Sequence, residues 1–186
     1  MPDIDIQPLT QLSAEDFKRI AVGYTSTEMY RPTRTESDGQ IVFTLERVKR
    51  SEPYVKRWPF TEANYATCIN CLPQGVSVGA ATDGKLVGIA VAELREWGKS
   101  INVWEFHVDE AHHRQGIGRR LIQGLVDRAR AIGLRQIVCE AQSTNVPVFD
   151  FYRRQGFKME GIDLTFYDHD ESCAEEFAVF MKRVVT

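Results

Sequence analysis

Residues 117–132 constrain the fold most strongly, because apolar side chains recur there at the spacing of an amphipathic helix. The positions that share this spacing are Ile117, Leu121, Ile122, Leu125, Val126, Ala129 and Ile132. Gly133 follows where a helix-terminating glycine belongs. Apolar runs at 101–108 and 136–141 flank the helix and predict strands. Since a helix carries the chain back between them, we expect these two strands to run parallel.

The residues ahead of this pair predict an antiparallel meander. Residues 76–81 and 86–97 are apolar runs, and the turn between them contains Asp83 and Gly84. An Asp-Gly pair between two apolar runs is a strong hairpin signal. A second short turn then leads into the strand at 101–108. Three antiparallel strands are therefore expected before the long helix.

The residues behind the pair predict a further helix and two more strands. Residues 147–154 indicate a shorter helix that ends at Gly156, and the last strands are expected at 161–167 and 176–184. The order of elements gives an α/β fold class of the α+β type. A central mixed, mostly antiparallel sheet would be flanked by helices.

Residues 1–40 are polar and irregular. Ser13 is a good N-cap for a short helix, and residues 61–72 predict another. Residues 31–39 have the chemistry of a loop, which we expect to be mobile. Residues 40–47 alternate only loosely, so that strand and helix both remain open there.

Composition argues against several classes of protein. The net charge of −3 speaks against a nucleic-acid partner, which usually requires a basic face. The chain begins with no positive-then-apolar leader, and no apolar run approaches the length of a membrane-spanning helix, so a cytoplasmic protein without a membrane partner is expected. Cys68 and Cys71 form a C-x-x-C pair, but Cys139 and Cys173 stand alone. Since zinc needs about four ligands, we expect buried thiols and no metal.

A glycine loop opens the long helix. The first N–H groups of a helix have no partner inside it, and phosphate oxygens can satisfy them if the backbone is accessible. Gly116 and Gly118 lack the side chains that would block such an approach, and three arginines, Arg114, Arg119 and Arg120, add positive charge. On spacing alone, a turn beside a solvated helix face explains these residues equally well. The Walker pattern is absent, and the dinucleotide pattern would need glycine at Leu121.

Two motifs together resemble the signature of the GNAT acyltransferases. The family pattern R/Q-x-x-G-x-G/A is matched by HRQGIG at 113–118, and N-x-x-A-x-x-F-Y-x-x-x-G-F is matched by NVPVFDFYRRQGF at 145–157. His113 stands where Arg or Gln is usual, and Val148 replaces a small alanine, which would narrow the pantetheine channel slightly. The resemblance covers roughly residues 76–184.

The resemblance implies a fold, a donor and a domain plan. It implies a sheet of about six to seven strands in which the parallel pair splays apart, and acetyl-CoA as the acyl donor, with no metal. The whole chain, 1–186, would form a single acyltransferase domain. Within it, 76–184 would be the acyl-CoA-binding core and 1–75 the acceptor-side segment. Members of this family often pair through their last strands, which makes a homodimer one expected assembly.

The resemblance also implies which residues serve the donor. The Val108 backbone N–H would polarise the thioester carbonyl, and Asn145 would help to hold the arm of the cofactor. Tyr152 matches the family's tyrosine that protonates the leaving thiolate. The remaining cofactor contacts implied are Phe106, His107, His113, Arg114, Gln115, Gly116, Ile117, Gly118, Arg119 and Phe149.

The general base remains open at this stage. Glu140 is placed as in the ribosomal-protein N-terminal acetyltransferases, where a glutamate serves as base, and Glu105 lies where other GNAT enzymes have an acidic base. A strand interior disfavours charge, so that either carboxylate needs a reason to be there. An ion pair with Arg135 or Arg95 would also explain them. His107 and a water-mediated route are further alternatives.

Four segments have a narrower similarity to the bacterial streptothricin acetyltransferases, whose acceptor is a β-lysine amine on a cationic antibiotic. They lie at 42–46, 53–56, 139–142 and 163–167. An acidic run could meet such an acceptor, or could be a solvated turn, and it consists of Asp168, Asp170, Glu171, Glu175 and Glu176. Four aromatic residues, Trp58, Phe60, Trp97 and Trp104, either line an acceptor cleft or belong to the core. A peptide or protein amine is an alternative acceptor, and a non-catalytic acyl-CoA-binding regulatory module is an alternative of another class.

Overall fold

A computed structural model describes residues 4–167 and 175–185. The nine strands in these residues are β1 (Asp5–Pro8), β2 (Gly23–Ser37), β3 (Gln40–Arg57), β4 (Val78–Thr82), β5 (Lys85–Arg95), β6 (Ser100–Val108), β7 (Gln136–Gln142), β8 (Lys158–Asp163) and β9 (Ala178–Val184). Their four α-helices are α1 (Ala14–Ile20), α2 (Glu62–Cys71), α3 (Ile117–Ala131) and α4 (Val146–Arg154). Among the described residues, no helix combines the length and the apolar character needed to cross a membrane.

Seven strands form one sheet in the order β1-β4-β5-β6-β7-β9-β8. Every neighbouring pair is antiparallel except β6 and β7, which run parallel because α3 returns the chain between them. Six of the seven residues of the predicted apolar stripe, from Ile117 to Ala129, are buried in the core, so that α3 lies where its sequence pattern requires. Ile132, the seventh, lies just beyond the end of α3 and is exposed. The predicted α+β class and the mixed, mostly antiparallel sheet are confirmed.

The parallel pair separates along its length. β6 and β7 are paired only between residues 100–103 and 136–139. Beyond that point β6 continues to Val108 and β7 to Gln142 without pairing to one another. The predicted splay is therefore present, and it leaves a gap in the middle of the sheet.

Apolar side chains are buried on both faces of the sheet. On one face, α3 and α4 pack over the strands through residues such as Leu121, Leu125 and Phe149. On the other face, α1 and α2 form a second cluster that includes Phe17 and Ile20. Each fully buried side chain of this size contributes about 1.5–3 kcal/mol to folding.

The long hairpin of β2 and β3, here called the ribbon, corrects the prediction for residues 31–39. These residues were expected to be a mobile loop, yet β2 continues through 37 and pairs with β3 around a turn at Asp38 and Gly39. Pro32 is tolerated because a two-stranded ribbon leaves one edge of each strand unpaired. Residues 40–47, where strand and helix were both open, are strand.

The two ends of the ribbon lie side by side, and its β2 strand packs on α4. Gly23 pairs with Arg57 at its two ends, and Gly23 has φ +118°. A side chain at Gly23 would begin 2.1 Å from the carbonyl oxygen of Lys56, so that only glycine fits there. Further along, the Tyr30 ring packs edge-on against Phe149 with centroids 5.0 Å apart.

Other element boundaries moved from their predicted positions. β1 was not predicted, and β5 is Lys85–Arg95 where 86–97 was expected. The strand predicted at 161–167 ends earlier, because the Asp163 carboxylate accepts a hydrogen bond from the Thr165 N–H at 3.0 Å and turns the chain. The last strand begins at Ala178, two residues later than predicted.

Candidate active site

A cleft of about 590 Å³ opens where β6 and β7 separate. Its walls come from the ribbon, from both splayed strands, from α4 and from the chain that follows β8. Six of the residues singled out in the sequence line it: Glu105, Phe106, His107, Glu140, Asn145 and Tyr152. The structure thus brings together side chains that are up to 47 residues apart in the sequence.

The cleft passes through the sheet and so has two different mouths. Successive side chains of a strand point to opposite faces. Phe106 lies on the α4 face, where its ring is 5.6 Å from that of Phe151. Glu105 and His107 therefore lie on the other face, beside the ribbon. Two ligands that enter from opposite faces could meet within the gap.

The backbone N–H of Val108 points toward the gap. Antiparallel strands exchange hydrogen bonds at alternate residue pairs. Asp109 N–H donates to the Val87 carbonyl at 2.9 Å, and Val108 is opposite Gly88 in the next, non-bonded pair. The Val108 N–H is thus directed away from β5, to the side where β7 has already separated. It can donate to a ligand oxygen.

The glycine loop forms an accessible helix N-terminus on the α4 face. Gly116 is the N-cap of α3 with φ +80°, and among the described residues no heavy atom beyond its chain neighbours lies within 4 Å of where its Cβ would be. A Cβ on Gly118 would lie 3.1 Å from the Phe151 ring. Ile117 is buried, so that the loop offers backbone N–H groups to a ligand. These features fit a pyrophosphate.

Charged and polar side chains around the loop have separate tasks. Arg114, Gln115 and Arg119 are exposed at its rim, and the arginines can add positive charge at the helix N-terminus. The His113 ring nitrogen Nε2 is 2.8 Å from the Val108 carbonyl oxygen. His113 thus ties the loop to the end of β6, which accounts for a histidine at this position.

Asn145 and Phe149 occupy different environments on α4. Asn145 is the N-cap residue, but its side chain makes no capping hydrogen bond and lines the cleft, where it can bind a ligand. Phe149 is completely buried in the core beneath Tyr30. Phe149 therefore supports the ribbon and does not line the cleft.

Tyr152 reaches the cleft from the α4 face. Its side chain is buried between the rings of Phe106 and Phe157, with centroid distances of 6.0 and 5.1 Å. Burial raises the pKa of the Tyr152 hydroxyl well above its ordinary value, and the Cys139 thiol and the nearby carboxylates raise it further. Tyr152 is therefore a protonated donor at neutral pH.

Glu140 lies on β7 and reaches the cleft from the opposite face. Burial raises the pKa of the Glu140 carboxyl to about 7, and the charges of Glu176 and Glu105 act in the same direction. The hydroxyl of Tyr167 donates a hydrogen bond to Oε1 of Glu140 and opposes this rise. A carboxyl with a pKa near neutrality is suited to accept a proton at physiological pH.

The partner of Glu105 is His107, whose ring nitrogen Nε2 contacts the Glu105 carboxylate. The ion pairs considered from the sequence are not formed. Arg95 pairs with Glu93 at 3.1 Å, and Nε of Arg135 donates to the Gly98 carbonyl at 3.2 Å.

Glu176 belongs to the acidic run for which an acceptor contact and a solvated turn both remained open, and the structure excludes a solvated position for it. Its side chain is only 1% exposed, and Lys56 Nζ lies 2.9 Å from Oε2. The hydroxyls of Tyr54, Thr144 and Tyr24 donate to Oε1 at 2.9, 2.8 and 3.2 Å. No local sequence signal indicates this cluster, because the ribbon residues precede Glu176 by at least 120 positions.

The other acidic residues of that run have separate positions. Glu175 is exposed and pairs with Arg50 at 2.6 Å. Asp168, Asp170 and Glu171 lie outside the described residues.

The four aromatic residues and the cysteines considered from the sequence lie in different parts of the molecule. Trp58 and Trp104 line the cleft, whereas Phe60 packs in the second core cluster. Trp97 is 90% exposed in a turn and belongs to neither place. Three thiols, Cys68, Cys71 and Cys139, are buried, and burial raises the pKa of Cys68 and Cys139 to about 12. Cys173 lies outside the described residues.

Known proteins with the same arrangement identify the family. The sequence profile of the acetyltransferase (GNAT) family matches residues 41–157, well over half of the chain. The chain belongs to this GNAT family. The match includes the glycine loop, both splayed strands and α4, and it begins within the ribbon.

This GNAT protein is also similar to individual proteins of known name. It is 34% identical to streptothricin acetyltransferase of Streptomyces lavendulae over 106 residues, which are 57% of this chain and 54% of that protein. The chain therefore matches only about half the length of that relative. Its fold resembles the crystal structure of nourseothricin acetyltransferase, with a TM-score of 0.77 and 26% identity over 98% of this chain and 99% of the other.

A Bacillus anthracis protein solved in complex with acetyl coenzyme A has the same fold. Its TM-score is 0.71, and its identity is 21% over 98% of this chain and 99% of that one. At this identity the likeness concerns the fold alone.

Proposed function

We propose that the protein is an N-acetyltransferase that moves an acetyl group from acetyl-CoA to a primary amine of a small cationic acceptor. The observation that carries this proposal is the cleft through the sheet. On the α4 face the accessible N-terminus of α3 lies next to the cleft, because Gly118 is beside Phe106, which lines it. On the ribbon face, Glu105, Glu140 and Glu176 line the cleft. A phosphorylated donor and a cationic acceptor carry opposite charges, and each is complementary to one mouth.

Donor binding would depend mainly on the backbone. The loop at 113–118 and the start of α3 would hold the pyrophosphate through N–H groups, while Arg114 and Arg119 add charge at the rim. Asn145 would hold the arm that enters the gap. When bound, acetyl-CoA supplies an activated acetyl group and a sulfur leaving group.

The residues around the gap would then move protons. Glu140 accepts a proton from the acceptor ammonium, which leaves a neutral amine nitrogen able to bond to the acetyl carbon. The Val108 N–H donates to the acetyl oxygen, and Tyr152 donates its proton to sulfur as the carbon–sulfur bond breaks. Of the three ammonium protons, one stays on the amide, one replaces the proton of Tyr152, and one passes through Glu140 to solvent.

The charge at the ribbon mouth supports a cationic acceptor. Glu105, Glu140 and Glu176 all line the cleft, and only Glu176 has a lysine partner among the described residues. Trp58 and Trp104 add aromatic surface on which a cation or a ring can lie. The streptothricin acetyltransferase relative supports an amine antibiotic of that type as the acceptor, and with it a role in antibiotic resistance.

A screen of amines with acetyl-CoA would test the proposal by following release of free thiol. The panel contains streptothricin, polyamines, aminoglycosides, free lysine and N-terminal peptides. We expect turnover with streptothricin or another small polycation and little with peptides. Preferential turnover of peptides would replace the acceptor assignment. Tight binding of CoA with no turnover of any amine would indicate a regulatory module instead.

A further inference from the structure

Tyr167 makes the one side-chain hydrogen bond that Glu140 accepts among the described residues. Its hydroxyl donates to Oε1 of Glu140, although the two residues are 27 positions apart. The second carboxylate oxygen, Oε2, accepts no hydrogen bond within that described part of the chain. Glu140 and Tyr167 both line the cleft, so that the carboxylate is fixed by one oxygen and can offer the other to a ligand.

Aromatic packing holds Tyr167 beside β7. Its ring lies edge-on to Phe166 at 5.2 Å, and Phe166 lies edge-on to Phe180 at 5.7 Å. Phe180 is the residue of β9 directly opposite Glu140 in the strand register. The phenol is thus braced on the strand that neighbours Glu140. Burial raises the pKa of the Tyr167 hydroxyl far above its ordinary value, so that it is a hydrogen-bond donor at every working pH.

The charges of two carboxylates that share the cleft disfavour the charged form of Glu140: Glu105 on β6 and Glu176 just before β9. Burial, and with it the charge of Glu140, raises the pKa of Cys139 on β7 and of Tyr152 on α4, so that both stay neutral. His107 on β6 lines the same cleft and contacts Glu105. Lys56 is near but is paired with Glu176. The Tyr167 hydroxyl is the group that stabilises the carboxylate, because a hydrogen bond to an anion favours the ionised state.

We propose that Tyr167 is a positioning residue, which keeps Glu140 ionised and orients its free oxygen toward the acceptor amine. This inference rests on the proposed function, in which Glu140 is the base. The proton moves from the acceptor nitrogen to Oε2 of Glu140, while Tyr167 keeps its own proton and its bond to Oε1. Removing the hydroxyl leaves a carboxyl that protonates more readily and is less fixed in orientation.

The experiment compares the pH dependence of kcat/KM in wild type, Tyr167→Phe, Glu140→Gln and the double variant. In Tyr167→Phe we expect kcat/KM at pH 7 to fall about tenfold, because loss of a hydrogen bond to a charged group costs about 1.5–3 kcal/mol. The acidic limb of the plot of kcat/KM against pH should move to higher pH by about one unit in Tyr167→Phe, since the pKa of Glu140 rises. In the Glu140→Gln background, Tyr167→Phe should change kcat/KM less than about twofold.

A matched control removes a tyrosine hydroxyl outside the cleft. The Tyr65 hydroxyl donates to the Leu12 carbonyl at 2.8 Å, so that Tyr65→Phe should leave the acidic limb of the kcat/KM profile at the wild-type pH. Thermal midpoints and CoA affinity, measured on all five proteins, identify a variant that has lost its fold. A Tyr167→Phe protein with native CoA affinity and an unmoved acidic limb would overturn the proposal. Additive effects of the two substitutions would overturn it as well.

Failure of the wider proposal has a different signature. If Glu140→Gln retains wild-type kcat/KM, the base assignment is wrong, whatever Tyr167→Phe does. If Glu140→Gln loses activity while Tyr167→Phe keeps the wild-type rate and acidic limb, Glu140 remains the base and only the role of Tyr167 is lost.

Discussion

The two mouths of the cleft are built in different ways. The one on the α4 face, with the proposed donor site, is here called the donor mouth, and the one beside the ribbon, with the proposed acceptor site, is called the acceptor mouth. At the donor mouth, the loop at 113–118 and the first turn of α3 present backbone N–H groups, and their geometry follows from a short stretch of sequence. At the acceptor mouth, the central feature is the buried Glu176 carboxylate. It accepts hydrogen bonds from the hydroxyls of Tyr24 and Tyr54 and forms an ion pair with Lys56. These three residues precede Glu176 by at least 120 positions in the sequence.

Because of this difference, the two mouths should respond differently to amino-acid substitutions. A site made of backbone is insensitive to most side-chain changes and fails only where the backbone becomes inaccessible. A site made of interlocking side chains can be altered piece by piece, but each change leaves a buried partner unsatisfied. We therefore expect donor-side substitutions to affect CoA binding or chemistry far more than stability, and acceptor-side substitutions to affect stability and acceptor binding together.

Gly116→Asp tests the donor mouth most severely. The added carboxylate would occupy the place of a phosphate, and we expect CoA affinity to fall by at least about a thousandfold, measured by calorimetry. The control is Gly84→Asp, since Gly84 has a similar φ of +73° and equally open surroundings but belongs to the turn between β4 and β5. Both variants should lose roughly 1 kcal/mol of stability from backbone strain. If Gly116→Asp bound CoA with wild-type affinity, the assignment of the phosphate site to this loop would be wrong.

Tyr152→Phe should impair the chemical step without affecting donor binding. We expect kcat to fall about three hundredfold, within the range for loss of a general acid, while the Kd for CoA changes little. The control is Tyr65→Phe, which removes a hydroxyl that donates to the Leu12 carbonyl at 2.8 Å outside the cleft. It should lose some stability and keep kcat. Equal kcat values in the two variants would show that Tyr152 only packs beside Phe106 and Phe157.

Glu176→Gln tests whether the acceptor mouth is coupled to folding. The amide keeps the shape but leaves the Lys56 ammonium buried without a counter-charge, and we expect a loss of about 2 kcal/mol of stability in chemical denaturation. The KM for the acceptor should rise, and CoA affinity should remain unchanged. Adding Lys56→Met should recover part of the stability, because the uncompensated charge is then gone. An equal loss of CoA affinity would contradict the separation of the two mouths.

The last expected effect concerns stability alone and its dependence on pH. The pKa of Glu140 is raised to about 7 in the folded protein, above its ordinary value, so that the folded state binds more protons than the unfolded state between these values. Stability should therefore fall as pH rises through this window. Glu140→Gln removes this cost, and well above pH 7 it should be more stable than wild type by about 3 kcal/mol, with no difference near pH 4. The exposed Glu52→Gln serves as the control, and an identical pH profile in both variants would exclude the raised pKa.

The sequence predicted the donor mouth well because its determinants are local. The stripe from Ile117 to Ala129 and the glycine at 133 define α3, and α3 in turn requires β6 and β7 to be parallel. The glycine loop needs no distant partner to adopt its conformation. The residues suggested for catalysis, Glu140 and Tyr152, do face one cleft.

The acceptor mouth could not be predicted in this way. The ribbon was interpreted as a loop at 31–39 because Pro32, Asp38 and Gly39 favour turns, and only its pairing with β3 makes it a strand. The burial of Glu176 and the contact of Tyr167 with Glu140 depend on chain segments that meet only after folding. Phe149 was assigned to the cofactor from its motif, yet the Tyr30 ring covers it.

The ribbon also has a consequence for how such a protein can change its substrate. Its two ends, Gly23 and Arg57, lie side by side in the strand register, so that the whole hairpin leaves and re-enters the body of the molecule at one place. It contributes Tyr24, Tyr54 and Lys56 to the acceptor mouth. If a hairpin of different sequence were joined at this glycine, the same sheet and helices would have different residues in the acceptor mouth. Replacing the ribbon would therefore change acceptor specificity while the sequence of the glycine loop stays the same.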